Sequence, residues 1–278
     1  MRLHMLRAGT TAAEGTEDTA STAGTAGAGL PLVLLHGFPL DHRMWLAAAE
    51  QVAGGRTVLA VDLPGAGPGA DPVLPQPPSI EAAADAVADA LADAGVSRAV
   101  VAGLSMGGYV ALALLDRHPG RVAGLGLVDT KSTADAPEAR ANRLRIADEA
   151  ERGATVDPVR PMATTLVGET TRASRPQVAE QVAAWIDEQS PAAVAWAQRA
   201  MAARPDRTAV LAGWAGPVTV VVGDEDTVTP LDAARHMAQA APQAQLVVVP
   251  RAGHLSALEQ PDVVGLALAE LCQRAESA

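Results

Sequence analysis

Short unbroken apolar runs alternate with amphipathic stretches along most of this chain. Leu32–Leu35 is the first such run and stops at Gly37. Similar runs fall at 57–61, 99–102 and 125–128, and again, after a long gap, at 218–222 and 246–249. The early runs lack period-two alternation, so both faces of each strand are expected to be buried. Helical patterns lie between them. Residues 79–94 put Ile80, Ala84, Val87 and Leu91 on one face, with Ser79 as N-cap and Gly95 as terminator. A second helix is expected at 105–116, closed by Pro119-Gly120, and further helices at Leu231–Ala240 and 262–274. Residues 1–7 suit an edge strand. Buried strands alternating with helices predict an α/β fold: a mostly parallel, doubly wound sheet with helices on both sides.

The pattern changes over 131–212. No strand-like run occurs there, only charged, alanine-rich helical stretches at 137–151, 158–167, 176–188 and Pro191–Ala203. Each starts close to a proline, which suits a first helical turn. The chain therefore divides into a sheet core, 1–130 and 213–278, and an inserted helical cap, 131–212. Residues 8–29 are Ala, Gly, Thr, Ser and Glu with little to bury, and are expected to be a mobile loop. No leucine-rich run follows Arg2 and Arg7, and Glu14, Glu17 and Asp18 argue against a transit peptide. A cytoplasmic location is the expectation.

Composition narrows the function classes. The chain has 278 residues, enough for one large domain carrying an insertion. Acidic residues outnumber basic ones by 32 to 21, giving a net charge of −11. That diffuse negative charge repels phosphate backbones and argues against nucleic-acid partners. Cys272 is the single cysteine, which excludes an internal disulfide and a cysteine zinc cluster. No apolar stretch is long enough to span a bilayer, so no membrane partner is expected. Aromatic residues make up only 2% of the chain: Phe38, Tyr109 and four tryptophans. Abundant Ala, Gly, Pro, Val and Arg point to a coding bias, so the core must be filled mostly by aliphatic side chains.

The strongest chemical signal is Gly103-Leu104-Ser105-Met106-Gly107, followed by Gly108, between the 99–102 strand and the helix beginning at 105. A serine on such a turn is pushed out above the sheet, and the helix N-terminus favours a developing anion. A serine hydroxyl needs a base. Of six histidines, His254 is best placed, because it follows strand 246–249 at the sheet edge where Ser105 also emerges. His118 lies at the far end of the serine's helix, roughly 20 Å away. His236 is mid-helix, and His4 and His42 have no supporting context. The base needs an acid, and Asp224, Glu225 and Asp226 follow strand 218–222. Asp226 is favoured, with Asp129, after strand 125–128, as the rival. Gly37 lets the chain turn after Leu32–Leu35, so the amides of Phe38 and Met106 form the expected oxyanion hole. His36 is expected to brace that loop. Trp45, Tyr109, Met162, Trp185 and Trp196 are candidate pocket walls, with Met201 beside them, and the few rings are expected to gather around the site.

With these residues in place the sequence resembles the α/β-hydrolase fold superfamily. The motifs are H-G-F-P at 36–39, D-L-P-G-A-G at 62–67, G-L-S-M-G-G at 103–108, H-P-G-R-V at 118–122, G-D-E-D-T-V-T-P at 223–230 and G-H-L-S-A-L-E-Q-P at 253–261. The resemblance assigns nucleophile, acid and base to Ser105, Asp226 and His254. It implies the serine branch: carboxylesterases, enol-lactonases and cofactor-free perhydrolases. Haloalkane dehalogenases and epoxide hydrolases use aspartate where this chain has Ser105. The expected activity is hydrolysis of a small carboxylic ester or lactone, with no metal and no cofactor. Thioester hydrolysis would use the same apparatus. A non-hydrolytic biosynthetic role (cyclase, acyl transferase or isomerising enzyme) is the main alternative, and a binding protein on the same scaffold is a third reading.

Overall fold

The computed structural model of the protein describes residues 1–9, 29–52 and 55–278. Of the stretch expected to be a mobile loop, 10–28 lies outside the described residues. Among the described residues, seven strands form one sheet: β1 (Arg2–Arg7), β2 (Leu32–Leu35), β3 (Val58–Asp62), β4 (Ala99–Leu104), β5 (Val122–Val128), β6 (Val218–Gly223) and β7 (Ala244–Val249). Their order is β1-β3-β2-β4-β5-β6-β7. All neighbours run parallel except β1, an edge strand antiparallel to β3. Strands β2 to β6 are buried along their whole length, as their unalternating apolar runs require. β7 has a neighbour on one side only and leaves Leu246 and Val248 exposed.

The register aligns the strand ends. Leu35 pairs with both Val61 and Gly103, Gly103 with Leu127, and Val128 with Val221. The loops after these strands therefore open along one edge. Helices α1 (Leu46–Glu50), α2 (Ile80–Asp93) and α3 (Met106–Arg117) precede the insert. The insert carries α4 (Pro137–Gly153), α5 (Met162–Thr165), α6 (Glu169–Ser174), α7 (Gln177–Asp187), α8 (Pro191–Ala203) and α9 (Thr208–Gly213). Then come α10 (Leu231–Ala240), α11 (Ser256–Glu259) and α12 (Pro261–Glu276). Helices α2 and α3 pack together, with α3 on β2, β4 and β5, and α9 bridging α3 to α10. Helices α1 and α12 pack on one another, with α12 along β4, β5 and β6. Ser79 caps α2 as expected, its hydroxyl accepting from Ala82 N at 3.1 Å.

The insert contains no strand among the described residues, and α4 packs along α8. The single helix expected at 158–167 is instead a 3₁₀ turn, Asp157–Val159, followed by the four-residue α5. Pro161 explains this, because it cannot donate to the Asp157 carbonyl four residues earlier and its ring crowds that carbonyl. Tight bonds take over: Val159 N to Val156 O and Ala163 N to Arg160 O. Helices α1, α6, α9 and α11 did not emerge from the sequence pattern, since segments this short show no period. Among the described residues, no helix is long and apolar enough to cross a membrane.

Candidate active site

Ser105 sits at the junction of β4 and α3 with φ 52° and ψ −111°. A side chain in that region is strained, and such strain persists only where the surroundings hold it. Here the fit is close. A Cβ on Gly103 would come 2.1 Å from Gly107 O, and one on Gly107 would come 2.2 Å from Leu35 O. Glycine at both positions lets the turn close against the end of β2. The Thr130 hydroxyl donates to Ser105 O at 2.7 Å, and Ser105 N donates to Val128 O at 2.9 Å, so β5 holds the turn from the other side.

His254 lies on the loop after β7, buried, with Nε2 2.8 Å from Ser105 Oγ. Its Nδ1 stands 2.9 Å from Asp226 Oδ2. Asp226 is fixed in turn. Its Oδ1 accepts from Val228 N at 2.8 Å and Thr229 N at 3.0 Å, and its Oδ2 accepts from the Thr229 hydroxyl at 2.7 Å. Burial alone would raise the Asp226 pKa, but the bonds to His254 and Thr229 outweigh it and hold the carboxyl below its ordinary value. Burial alone would lower the pKa of His254, but the Asp226 bond and charge outweigh it and raise it. The arrangement is a hydroxyl, an imidazole that can take its proton, and a carboxylate that fixes the imidazole.

Asp129, the rival acid, is also buried here but points elsewhere. Its two oxygens accept from Gly223 N at 2.9 Å and Ser256 N at 3.0 Å. Burial and the nearby Asp226 charge push its pKa up to about 8. Asp224 accepts from Arg251 N at 2.7 Å, and Glu225 accepts from the Thr170 amide and hydroxyl in the insert. The structure thus brings Ser105, His254 and Asp226 together and leaves the other three carboxylates to backbone and hydroxyl donors.

The loop after β2 passes against the serine: a Cβ on Gly37 would lie 3.5 Å from Ser105 Cβ. Phe38 and Met106 line the same cavity beside it. Met106 opens α3, where an amide has no i−4 carbonyl to bond. His36 braces the loop as expected, its Nδ1 donating to Gly37 O at 3.0 Å and its Nε2 accepting from Leu63 N at 2.9 Å. Burial lowers its pKa, consistent with that neutral role.

Residues 31–261 match the model of a family described as the alpha/beta hydrolase fold. The chain belongs to the α/β-hydrolase family. Among curated relatives of this α/β hydrolase is a pimeloyl-[acyl-carrier protein] methyl ester esterase of Aromatoleum aromaticum, 31% identical over 83% of the chain and 93% of the relative. The dihydrolipoyllysine-residue acetyltransferase component of an acetoin cleaving system from Pseudomonas putida is 30% identical over 85% of the chain, which spans only 61% of that longer relative. A thermophilic esterase from Thermogutta terrifontis superposes with a TM-score of 0.84 at 37% identity, covering 92% of this chain and 97% of that one. An enol-lactonase from Burkholderia xenovorans, at 22% identity, covers 98% of this chain and 96% of its own and shares the fold with a TM-score of 0.82.

The α/β hydrolase's cavity beside Phe38 and Met106 is walled by Leu40, Leu63, Pro64, Ala66, Ile80, Ala83 and Val110 from the core. Gln189 and the α8 residues Ala193, Val194, Trp196 and Ala197 close it from the insert. Of the five expected wall residues it takes only Trp196. Trp45 is fully buried in the core, Tyr109 lies under the Arg204 guanidinium at 4.0 Å, and Arg43 covers Trp185 at 5.3 Å. Met162 packs against the core cluster from α5 but does not line this cavity, and Met201 is buried on α8. Phe38 and Trp196 are the aromatic residues of this wall, and aliphatic residues make most of the rest. Only about 20 Å³ is open to water centres, room for one or two waters.

Two residues at the site escaped the sequence. Glu259 is buried and accepts from Gly253 N at 2.9 Å and Leu255 N at 3.2 Å, on either side of His254, and from Gly168 N of the insert at 2.9 Å. Gln189 Oε1 accepts from Gly67 N at 3.0 Å while its Nε2 donates to Trp185 O at 3.0 Å. The E-Q-P tail of the histidine motif pointed at Glu259 by proximity; nothing local marked Gln189.

Proposed function

We propose that this α/β hydrolase cleaves a small carboxylic ester or lactone through an acyl-enzyme on Ser105. The observation that carries the reading is the continuous link Ser105 Oγ–His254 Nε2, 2.8 Å, and His254 Nδ1–Asp226 Oδ2, 2.9 Å, beside an apolar cavity. In this mechanism His254 takes the serine proton as Oγ attacks the carbonyl carbon, then gives it to the leaving alkoxide. Asp226 stabilises the imidazolium and fixes the ring. The amides of Phe38 and Met106 bind the oxyanion, each donor worth roughly a hundredfold or more in rate. Water activated by His254 then attacks the acyl carbonyl, and the acid and the free serine result. The residues 131–212 act as a cap, with α8 setting the size of the apolar part of the substrate. Similarity to the Thermogutta esterase and the methyl ester esterase supports ester cleavage over other chemistries of the fold.

The test is turnover of p-nitrophenyl acetate and butyrate by the protein and by Ser105→Ala. Loss of turnover in the variant is expected; equal rates would overturn the assignment of the nucleophile. Acyl transfer to an acceptor other than water is the second reading, favoured by the narrow chamber and by the acetyltransferase relative. Covalent labelling of Ser105 by a fluorophosphonate without ester turnover would select it.

A further inference from the structure

The two histidines without sequence context, His4 and His42, meet on one carboxylate. His4 Nε2 stands 2.7 Å from Asp62 Oδ2, and His42 Nδ1 stands 2.9 Å from Asp62 Oδ1. The rings stack at 3.6 Å between centroids, with 10° between their planes. Three remote segments supply the set: β1, the 3₁₀ turn His42–Trp45, and the last residue of β3. We propose that His4, His42 and Asp62 form a binding site for one divalent transition ion of the zinc class.

Four observations carry this. First, the nitrogen and oxygen donors all lie within 4.8 Å of one another. An ion about 2.0–2.2 Å from each donor needs tetrahedral ligands roughly 3.3 Å apart and must lie in the plane of each ring, so binding requires the stacked imidazoles to turn out of parallel. Second, the donor set is right: two imidazoles and a carboxylate suit Zn²⁺ and its first-row neighbours, and leave positions for water. A ligating imidazole presents one nitrogen to the ion and keeps its N–H on the other. Third, the carboxylate is held from behind, because His42 N donates to Asp62 Oδ1 at 2.9 Å, so an ion taking the place of the His4 contact on Oδ2 would meet an oriented carboxylate. Fourth, the site is reachable. The His4 and His42 side chains are 28% and 20% exposed, and Asp62 borders a surface cavity of about 340 Å³. The nearest cations are engaged elsewhere: Arg2 with the carbonyls of Pro68 and Gly69, and Arg43 with Asp41 and Glu188.

An ion here would tie the edge strand to the active-site wall. Asp62 is followed by Leu63, which lines the cavity and donates to His36 in the oxyanion-side loop. The experiment is a titration of the full chain with Zn²⁺ by calorimetry and with Co²⁺ by visible absorption. One equivalent should bind, and His4→Gln and His42→Gln should each weaken binding by at least about tenfold. Glutamine keeps a donor for Asp62 but is a poor ligand. His118→Gln, at the remote C-terminal end of α3, should bind as the parent does. Zn²⁺ should also raise the melting temperature of the parent more than that of His4→Gln at the same concentration. No stoichiometric binding, or a melting shift of equal size in His4→Gln, would overturn the site. So would loss of the bound equivalent in His118→Gln.

Discussion

Asp226 and Asp129 are both buried aspartates within reach of the same loop, yet they hold opposite protonation preferences. Asp226 is kept below its ordinary pKa by His254 and Thr229, against the pull of burial. Asp129 is driven up to about 8 by burial and by the Asp226 charge. The consequences differ in sign. Asp226→Asn should lower turnover about ten-thousand-fold with the fold intact, by analogy with other triads, checked by steady-state kinetics and circular dichroism. Asp129 keeps its proton in the folded chain to about pH 8 but loses it near pH 4 when unfolded. Its contribution to stability is therefore full below pH 4 and falls as pH rises towards 8. The melting temperature should decline over that window, and Asp129→Asn should flatten the decline in a pH series of thermal melts. His254 must be neutral to act as a base, and its pKa is raised. The rate should thus climb with pH along a limb displaced above the ordinary histidine value, read from kcat/KM against pH.

Elements decide what the motifs alone could not. Ser105 and His254 were legible because a parallel sheet delivers strand ends to one edge, so a serine after β4 and a histidine after β7 must converge. Asp226 was favoured over Asp129 by position, and the hydrogen bond to His254 is the element-level reason: β6 ends one turn before the acid, while Asp129 is turned towards Gly223 and Ser256. What was illegible at Glu259 and Gln189 is their link between core and insert, because the partners there, Gly168 and Gly67, lie 91 and 122 residues away. Of the expected wall residues Trp196 lines the cavity, and the others illustrate a related point. Periodicity says that a residue is buried, not which side of a helix faces the serine. Two predictions belong here. Glu259→Gln offers one oxygen in place of two to three amides, so it should cost about 1–3 kcal/mol in a denaturant melt and lower kcat. Trp196→Ala removes the largest wall residue on α8 and should move the best p-nitrophenyl ester to a longer acyl chain.

At the scale of the whole molecule, charge and closure govern access. A net charge of −11 should repel anionic esters, and salt should relieve that repulsion. Added salt is expected to raise kcat/KM for a carboxylate-bearing ester and leave a neutral one almost unchanged. The cavity that Phe38 and Met106 share with Gln189 and α8 has room for one or two waters, so α8 and Gln189 limit the size of the group it can take. The insert is also stitched to the base-bearing loop. His254 N donates to Leu166 O at 2.9 Å, Gly168 N donates to Glu259, and Thr170 bonds Glu225. These bonds limit recombination. Swapping 131–212 for the matching segment of a homologue would exchange more than a pocket wall, because residues 166–170 help hold the imidazole in place. On the proposed mechanism, specificity and basicity are thus inherited as one block. A chimera would have to cross over inside α6 or later to change one without disturbing the other.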